Sequence, residues 1–170
     1  MKTRFKLLAV TVSILGLATS ALLTKNEVTT EITLDAKPDQ VWQILTDGEN
    51  FAKWNPFITN MQGVIQKGKK IVITMEPEPG KKMVFKPKVL EAVPNEELRW
   101  IGTVGVPGIF DGEHYFILEP YDGKTRLVHG EKFSGFALWF MDTNQFSKNF
   151  EAMNLALSQR VNEFNEAVTQ

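Results

Sequence analysis

The sequence predicts an α+β domain in which a curved antiparallel sheet of about seven strands wraps around one long C-terminal helix. Apolar and polar residues alternate, with a period of two, through most of residues 27–133. From Phe146 onward the apolar residues recur every three or four positions instead. The strands precede the long helix and do not alternate with it, which favours an α+β fold over one built from βαβ units.

The first elements are a strand and two short helices. Val28, Ile32 and Leu34 share one face of a half-buried strand. Pro38 suits the first turn of a short helix. A second short helix over residues 49–54 must end before Pro56, because the residue before a proline avoids the helical region.

The middle of the chain consists of strands and turns. Alternating patterns predict strands over residues 71–75, 83–89, 98–101, 114–118 and 127–133. Asp122-Gly123 is a hairpin turn signal, so the last two strands should be neighbours.

The last element is an amphipathic helix of about five or six turns. Asp142 or Thr143 would cap its start. Its apolar stripe is formed by Phe146, Phe150, Met153, Leu157, Val161, Phe164 and Val168.

A single helix laid across a curved sheet cannot fill the concave face, so the pattern predicts an internal cavity. We expect this cavity to bind a small hydrophobic ligand. Its expected lining is Phe85, Trp100, Phe116, Leu118, Leu127 and Phe133 from the strands, and Phe150, Met153 and Leu157 from the helix.

The N-terminus resembles an export signal. Lys2, Arg4 and Lys6 precede an uncharged, mainly apolar run over residues 7–23. Residues 1–24 are therefore expected to direct export to the periplasm or another extracytoplasmic space, either removed by cleavage after Ser20 or retained as a membrane anchor. The folded domain is expected over residues 27–169.

Composition excludes several functions. The net charge is −1, so the chain lacks the basic field that binds nucleic acid. It contains no cysteine, which excludes disulfides and thiolate chemistry. No phosphate loop or dinucleotide fingerprint is present, and no cofactor is expected.

Three polar residues are expected on the concave face. The strand pattern places His114, His129 and Glu131 on the same side as the apolar lining. These residues would either bind one another and orient the polar end of a ligand, or act as a proton-transferring site with His129 as general base. A two-His-one-carboxylate metal site is disfavoured, because His129 and Glu131 are two apart on one strand and no second acidic group is evident.

Two glycine-flanked apolar loops are not explained by core packing. They cover residues 104–110 and 136–141. They could be movable lips of the cavity, a surface that dips into a membrane, or a satellite cluster packed on the long helix.

Several motifs together resemble the SRPBCC superfamily, the helix-grip fold of START lipid-transfer domains, birch-pollen-allergen-like proteins and polyketide cyclases. They are Ala36–Trp42, Phe51–Phe57, Leu98–Trp100, Gly112–Pro120 and Thr125–Gly135. The chain is most similar to the polyketide cyclase/dehydrase-like branch. The resemblance implies this fold and a hydrophobic ligand; the alternative function is that of a cyclase or dehydratase using the His/Glu cluster.

Overall fold

The computed structural model describes residues 25–169, and the expected export segment, residues 1–24, lies outside them. Of the helices it describes, none is long and apolar enough to cross a membrane. The elements in chain order are β1 (Lys25–Leu34), α1 (Pro38–Thr46), a first 3-10 helix (Gly48–Lys53), β2 (Ile58–Gln62), β3 (Val72–Glu78), β4 (Lys81–Phe85), β5 (Lys88–Val93), β6 (Glu97–Val104), β7 (Phe110–Tyr121), β8 (Lys124–Ser134), a second 3-10 helix (Phe136–Trp139) and α2 (Gln145–Thr169).

The α+β class, the antiparallel pairing and the long C-terminal helix are confirmed, but the strand count is corrected. The described strands number eight and form two sheets, a five-stranded sheet in the order β1-β8-β7-β6-β5 and a three-stranded sheet in the order β2-β3-β4. Strand β2 was not predicted, because residues 58–62 do not form part of the alternating patterns used to assign the strands.

Pro87 explains why the expected strand over residues 83–89 is divided into β4 and β5. A proline has no N–H to donate to a ladder, although its carbonyl still accepts from the N–H of Ile71 at 3.0 Å. Beyond Pro87 the pairing resumes at the Lys70–Lys88 bridge, where the N–H of Val89 donates to the carbonyl of Lys69 at 2.8 Å. The curved surface is therefore continuous in space, while its hydrogen-bond ladder is interrupted.

Helix α2 packs its apolar stripe on the inner face of the five-stranded sheet, mainly against β1. Phe150, Met153, Leu157 and Val161 are buried on this stripe. At its start, the side chain of Asp142 accepts a hydrogen bond from the N–H of Asn144. The core of the protein thus lies between α2 and the sheet, and both histidines point into it.

Candidate functional site

Strand register brings the three expected polar residues together. Across the β7–β8 ladder, His114 lies opposite Glu131, and His129 lies opposite Phe116. His114 and His129 are therefore diagonal neighbours on the concave face, within reach of each other. The hairpin turn at Asp122-Gly123 sets this register.

A chain of hydrogen bonds links five side chains through the core. Nδ1 of His114 lies 3.3 Å from Oε2 of Glu131, and the Nε2 atoms of the two histidines are 3.0 Å apart. Nδ1 of His129 lies 2.8 Å from Oδ1 of Asn154. The amide of Asn154 donates to Oγ1 of Thr30 at 2.9 Å, and the Thr30 hydroxyl donates to the backbone carbonyl of His129 at 3.1 Å. We call this series, from Glu131 to Thr30, the polar chain.

Two members of the polar chain are missed by the sequence reasoning. Asn154 interrupts the apolar stripe of α2 between Phe150 and Leu157, and Thr30 lies between Val28 and Ile32 on the inner face of β1. Both are at most 9% exposed. Each is a polar residue at a position where the periodicity of the helix or strand calls for an apolar one. That departure from the pattern could have identified them, because a buried polar group requires a hydrogen-bond partner.

The polar chain has a defined direction. The Thr30 hydroxyl donates its one proton to the carbonyl of His129, so its bond with Asn154 must be one in which Thr30 accepts. The amide nitrogen of Asn154 therefore faces Thr30, and its oxygen faces His129. Nδ1 of His129 must carry the proton, and in a neutral ring its Nε2 then accepts from Nε2–H of His114.

Burial favours the uncharged forms of the three ionisable members of the polar chain. It lowers the pKa of His114 to about 3, and lowers the pKa of His129 well below its ordinary value, with a smaller contribution from neighbouring His114. The same loss of water raises the pKa of Glu131 to about 8. At neutral pH the protonated carboxyl of Glu131 donates to His114, which completes a one-way series of donors.

Glu131 is the member of the polar chain that water reaches most. Its side chain is 14% exposed, against 3% for His114. The carboxyl lies over Gly112, where an added methyl group would come within 2.0 Å of Oε1. A glycine at this place in β7 is therefore what allows Glu131 to lie flat against the sheet.

Aromatic rings surround the two histidines. Trp100 stacks on His114 with centroids 4.8 Å apart and an interplanar angle of 7°. Phe116 and Phe150 lie 4.5 Å and 4.6 Å from the ring of His129. The internal cavity that the pattern predicts is therefore not open at the centre of the concave face, because these rings and the two imidazoles pack against one another there.

The expected ligand-lining residues fall into two groups. Phe85 lies apart, half-buried in β4 of the three-stranded sheet. The others are at most 5% exposed and belong to one apolar cluster: Trp100, Phe116, Leu118, Leu127, Phe133, Phe150, Met153 and Leu157.

An open groove approaches this cluster between α2 and the three-stranded sheet. Its volume is about 240 Å³. Phe57 contributes to its wall, and the ring of Phe57 packs edge-on against Phe150 at 5.8 Å. Its lining is Pro56, Phe57, Glu76, Pro77, Pro79, Asn149 and Ala152. The groove is therefore separated from the polar chain by two rings.

This arrangement constrains the chemistry. Both nitrogens of His129 are bonded within the protein, so neither is free to take a proton from a substrate as a general base would. Within residues 25–169 no cluster of three or more His, Cys, Asp or Glu side chains is placed to hold a metal ion. Glu131, a neutral acid at the exposed end, is the group through which the polar chain can meet another molecule.

Comparisons with known proteins agree with this architecture. The family model described as polyketide cyclase / dehydrase and lipid transport matches residues 25–165. Among curated proteins, none matches significantly.

Solved structures share the fold at low sequence identity. A START superfamily protein from Mycobacterium smegmatis aligns at 19% identity over 81% of this chain and 98% of its own, with a TM-score of 0.64. Ara h 8.0201 aligns at 16% identity over 82% and 99%, with a TM-score of 0.64. Protein CV1439 from Chromobacterium violaceum aligns at 20% identity over 80% and 96%, with a TM-score of 0.66.

Proposed function

Because the chain belongs to the polyketide cyclase/dehydrase and lipid transport family, within the START/Bet v 1 (SRPBCC) superfamily, we propose that it binds a small hydrophobic molecule between α2 and the sheet. One observation carries the proposal. Between α2 and the five-stranded sheet, apolar and aromatic side chains surround a connected series of five polar side chains, and the most exposed of the five is the neutral acid Glu131. Apolar sites with a few polar groups that set orientation are typical of small-molecule pockets.

The polar chain indicates what the polar end of the ligand carries. Protonated Glu131 donates through Oε2 to His114, which leaves Oε1 as a carbonyl-type acceptor. A ligand that meets Oε1 should therefore bring a donor, such as a hydroxyl or an N–H group, on an apolar body. A carboxylate ligand would place a second acceptor there and is disfavoured.

Binding requires that side chains give way. The ring pair Phe57 and Phe150 separates the groove from the histidines. We propose that the ligand enters through the groove and displaces this pair, because the groove is already open and its wall includes Phe57. Phe150 also packs edge-on against His114, the hydrogen-bond partner of Glu131, so its displacement would open a way toward the Glu131 carboxyl. The apolar area that the ligand covers would offset the lost ring contacts.

A fluorescence titration of the full-length chain with N-phenyl-1-naphthylamine tests this proposal, since the probe combines two aromatic groups with one N–H donor. We expect saturable, one-to-one uptake. Replacing the exposed groove residue Ala152 with tryptophan should fill the groove and abolish most of the uptake. Leu155→Trp, at a 61% exposed position of α2 that does not line the groove, is the matched control. Absence of uptake by the unmodified protein, or equal uptake by both variants, would contradict the proposal.

We also propose that the domain functions outside the cytoplasm. The support is the basic start of the chain followed by the uncharged run over residues 7–23. Fractionation of cells that express the full-length chain should place it in the extracytoplasmic or membrane fraction, and N-terminal sequencing would distinguish cleavage after Ser20 from a retained anchor. Recovery in the cytoplasmic fraction would contradict this proposal without affecting ligand binding.

A further inference from the structure

Two apolar loops form one exposed surface, which we call the apolar rim. Seven of the thirteen exposed large apolar side chains in the described part of the chain lie in these loops. Phe140 is 77% exposed and Val106 is 58% exposed. The rim consists of Val104, Val106, Ile109, Phe136, Trp139, Phe140 and Met141. Such a concentration marks an interaction surface, since monomeric proteins expose apolar side chains mostly singly.

Hydrogen bonds hold the two loops together. The N–H of Phe136 donates to the carbonyl of Gly108 at 3.0 Å, and that of Ala137 donates to Ile109 at 2.9 Å. Gly135, at φ 120°, permits this approach, because a methyl group there would lie 2.5 Å from the carbonyl oxygen of Ile109. The rim is therefore a built surface, and its apolar side chains are held outward.

The rim lies where the N-terminal segment joins the domain. Lys25, the first described residue, pairs with Ser134, and Phe136 follows two residues later. Only residue 24 separates Lys25 from the uncharged run over residues 7–23. When that run is retained in a bilayer, the rim is consequently held at the bilayer surface, at a high effective concentration.

The composition of the rim suits lipid. Neither stretch, residues 104–110 or residues 135–141, contains a charged residue. Phe136 lies 5.5 Å from Trp139 and 5.6 Å from Phe140 between ring centroids, so the second loop presents a cluster of aromatic rings. Tryptophan and other aromatic side chains favour the boundary between lipid headgroups and acyl chains.

We propose that the apolar rim docks into the surface of a lipid bilayer, with the side chains of Phe136, Trp139 and Phe140 among the acyl chains near the headgroups. The contact is apolar, so it does not require anionic lipid and is insensitive to salt. This inference is independent of whether the interior binds a ligand.

Tryptophan fluorescence of the full-length chain reconstituted into phosphatidylcholine vesicles tests the proposal. Lipid brominated near the headgroup should quench Trp139, whereas Trp100 is buried at 5% exposure and the half-buried Trp42 and Trp54 lie outside the rim. We expect the quenched component to disappear in Trp139→Phe and to be strongly reduced in Phe140→Asp. Leu155→Asp, at an exposed α2 position outside the rim, should leave the quenching unchanged and serves as the control.

Other occupants of the rim predict different results. If residues 7–23 of the chain itself cover it, brominated lipid will not quench Trp139 in the unmodified protein. If a second copy covers the rim, the protein will be dimeric in the vesicles and brominated lipid will not quench Trp139. Phe140→Asp will then dissociate the dimer. Either result would overturn the proposal, as would quenching that is unchanged by Phe140→Asp.

Discussion

The imidazole rings of His114 and His129 meet through their Nε2 atoms, 3.0 Å apart, so one ring must donate and the other accept. Asn154 determines which ring does which, because its oxygen requires a proton on Nδ1 of His129. The first prediction is that His129 is the Nδ1–H tautomer and His114 the Nε2–H tautomer. Long-range ¹H–¹⁵N spectra at about pH 6, where an ordinary histidine is mostly protonated, should show both rings neutral in these forms. The opposite tautomers, or a charged ring, would contradict the direction of the polar chain.

The second prediction concerns Glu131→Gln and the pH dependence of stability. The pKa of Glu131 in the folded protein, about 8, lies above its ordinary value of 4.5. A group whose pKa is raised by folding stabilises the protein at low pH, and this contribution is lost as pH rises through the folded pKa. Glutamine keeps a donor and an acceptor but does not ionise. The variant should therefore gain stability relative to the unmodified chain between about pH 4.5 and pH 8, by on the order of a few kcal/mol.

Urea unfolding of the unmodified protein and of Glu131→Gln at several pH values measures this difference in the free energy of unfolding. Folding lowers the pKa values of the two histidines, so the protein loses stability as pH falls below the ordinary histidine pKa. This loss is the same in the unmodified protein and in the variant. A difference between the chains that does not grow with pH would show that Glu131 is ionised in the folded state.

The third prediction concerns Asn154→Leu. Leucine preserves the apolar stripe of α2 but leaves the Nδ1–H of His129 without an acceptor. A buried donor without a partner costs about 1–3 kcal/mol, so the free energy of unfolding should decrease by that amount. Asn162→Leu, at an exposed position of the same helix, should change stability by less than about 0.5 kcal/mol. Equal effects of the two substitutions would indicate that the bond between Asn154 and His129 does not contribute.

The fourth prediction uses two glycines that pair across β6 and β7. A methyl group on Gly112 would lie 2.0 Å from Oε1 of Glu131, whereas one on Gly102 would come no closer than 3.8 Å to another residue, at Pro87. Gly112→Ala should displace the Glu131 carboxyl from His114 and destabilise the protein by about 1–3 kcal/mol, while Gly102→Ala should be nearly neutral. Glu131→Ala removes the carboxyl that causes the clash. In a protein that already carries Glu131→Ala, Gly112→Ala should therefore cost little stability. A fully additive pair would show that the two residues do not compete for the same space.

Periodicity predicted much of this fold because most elements follow one pattern throughout. The alternation in β8 placed His129, Glu131 and Phe133 on one face, and the spacing of Phe150, Met153 and Leu157 placed them on the inner side of α2. Strand division at Pro87 was harder to predict, because the apolar alternation continues through it and only the missing N–H interrupts the ladder.

The candidate site was only partly predictable. His114, His129 and Glu131 could be grouped because a hairpin turn fixes their register locally. Asn154 and Thr30 reach the same place from α2 and β1, more than a hundred residues apart in sequence. Such a contact depends on how the helix lies on the sheet, which apolar spacing does not determine. The filling of the centre by Trp100, Phe116 and Phe150 likewise depends on side-chain packing.

The interruption at Pro87 has a consequence for folding cooperativity. Because Pro87 offers no N–H to the ladder between β4 and β5, we expect the three-stranded sheet to separate as a local unfolding unit while the hydrogen bonds of the five-stranded sheet remain intact. The wall that carries Phe57 would then open at a lower free energy than global unfolding, while the polar chain stays folded. In that case one proline divides the domain into a part that holds the histidines and a part that opens to admit a ligand.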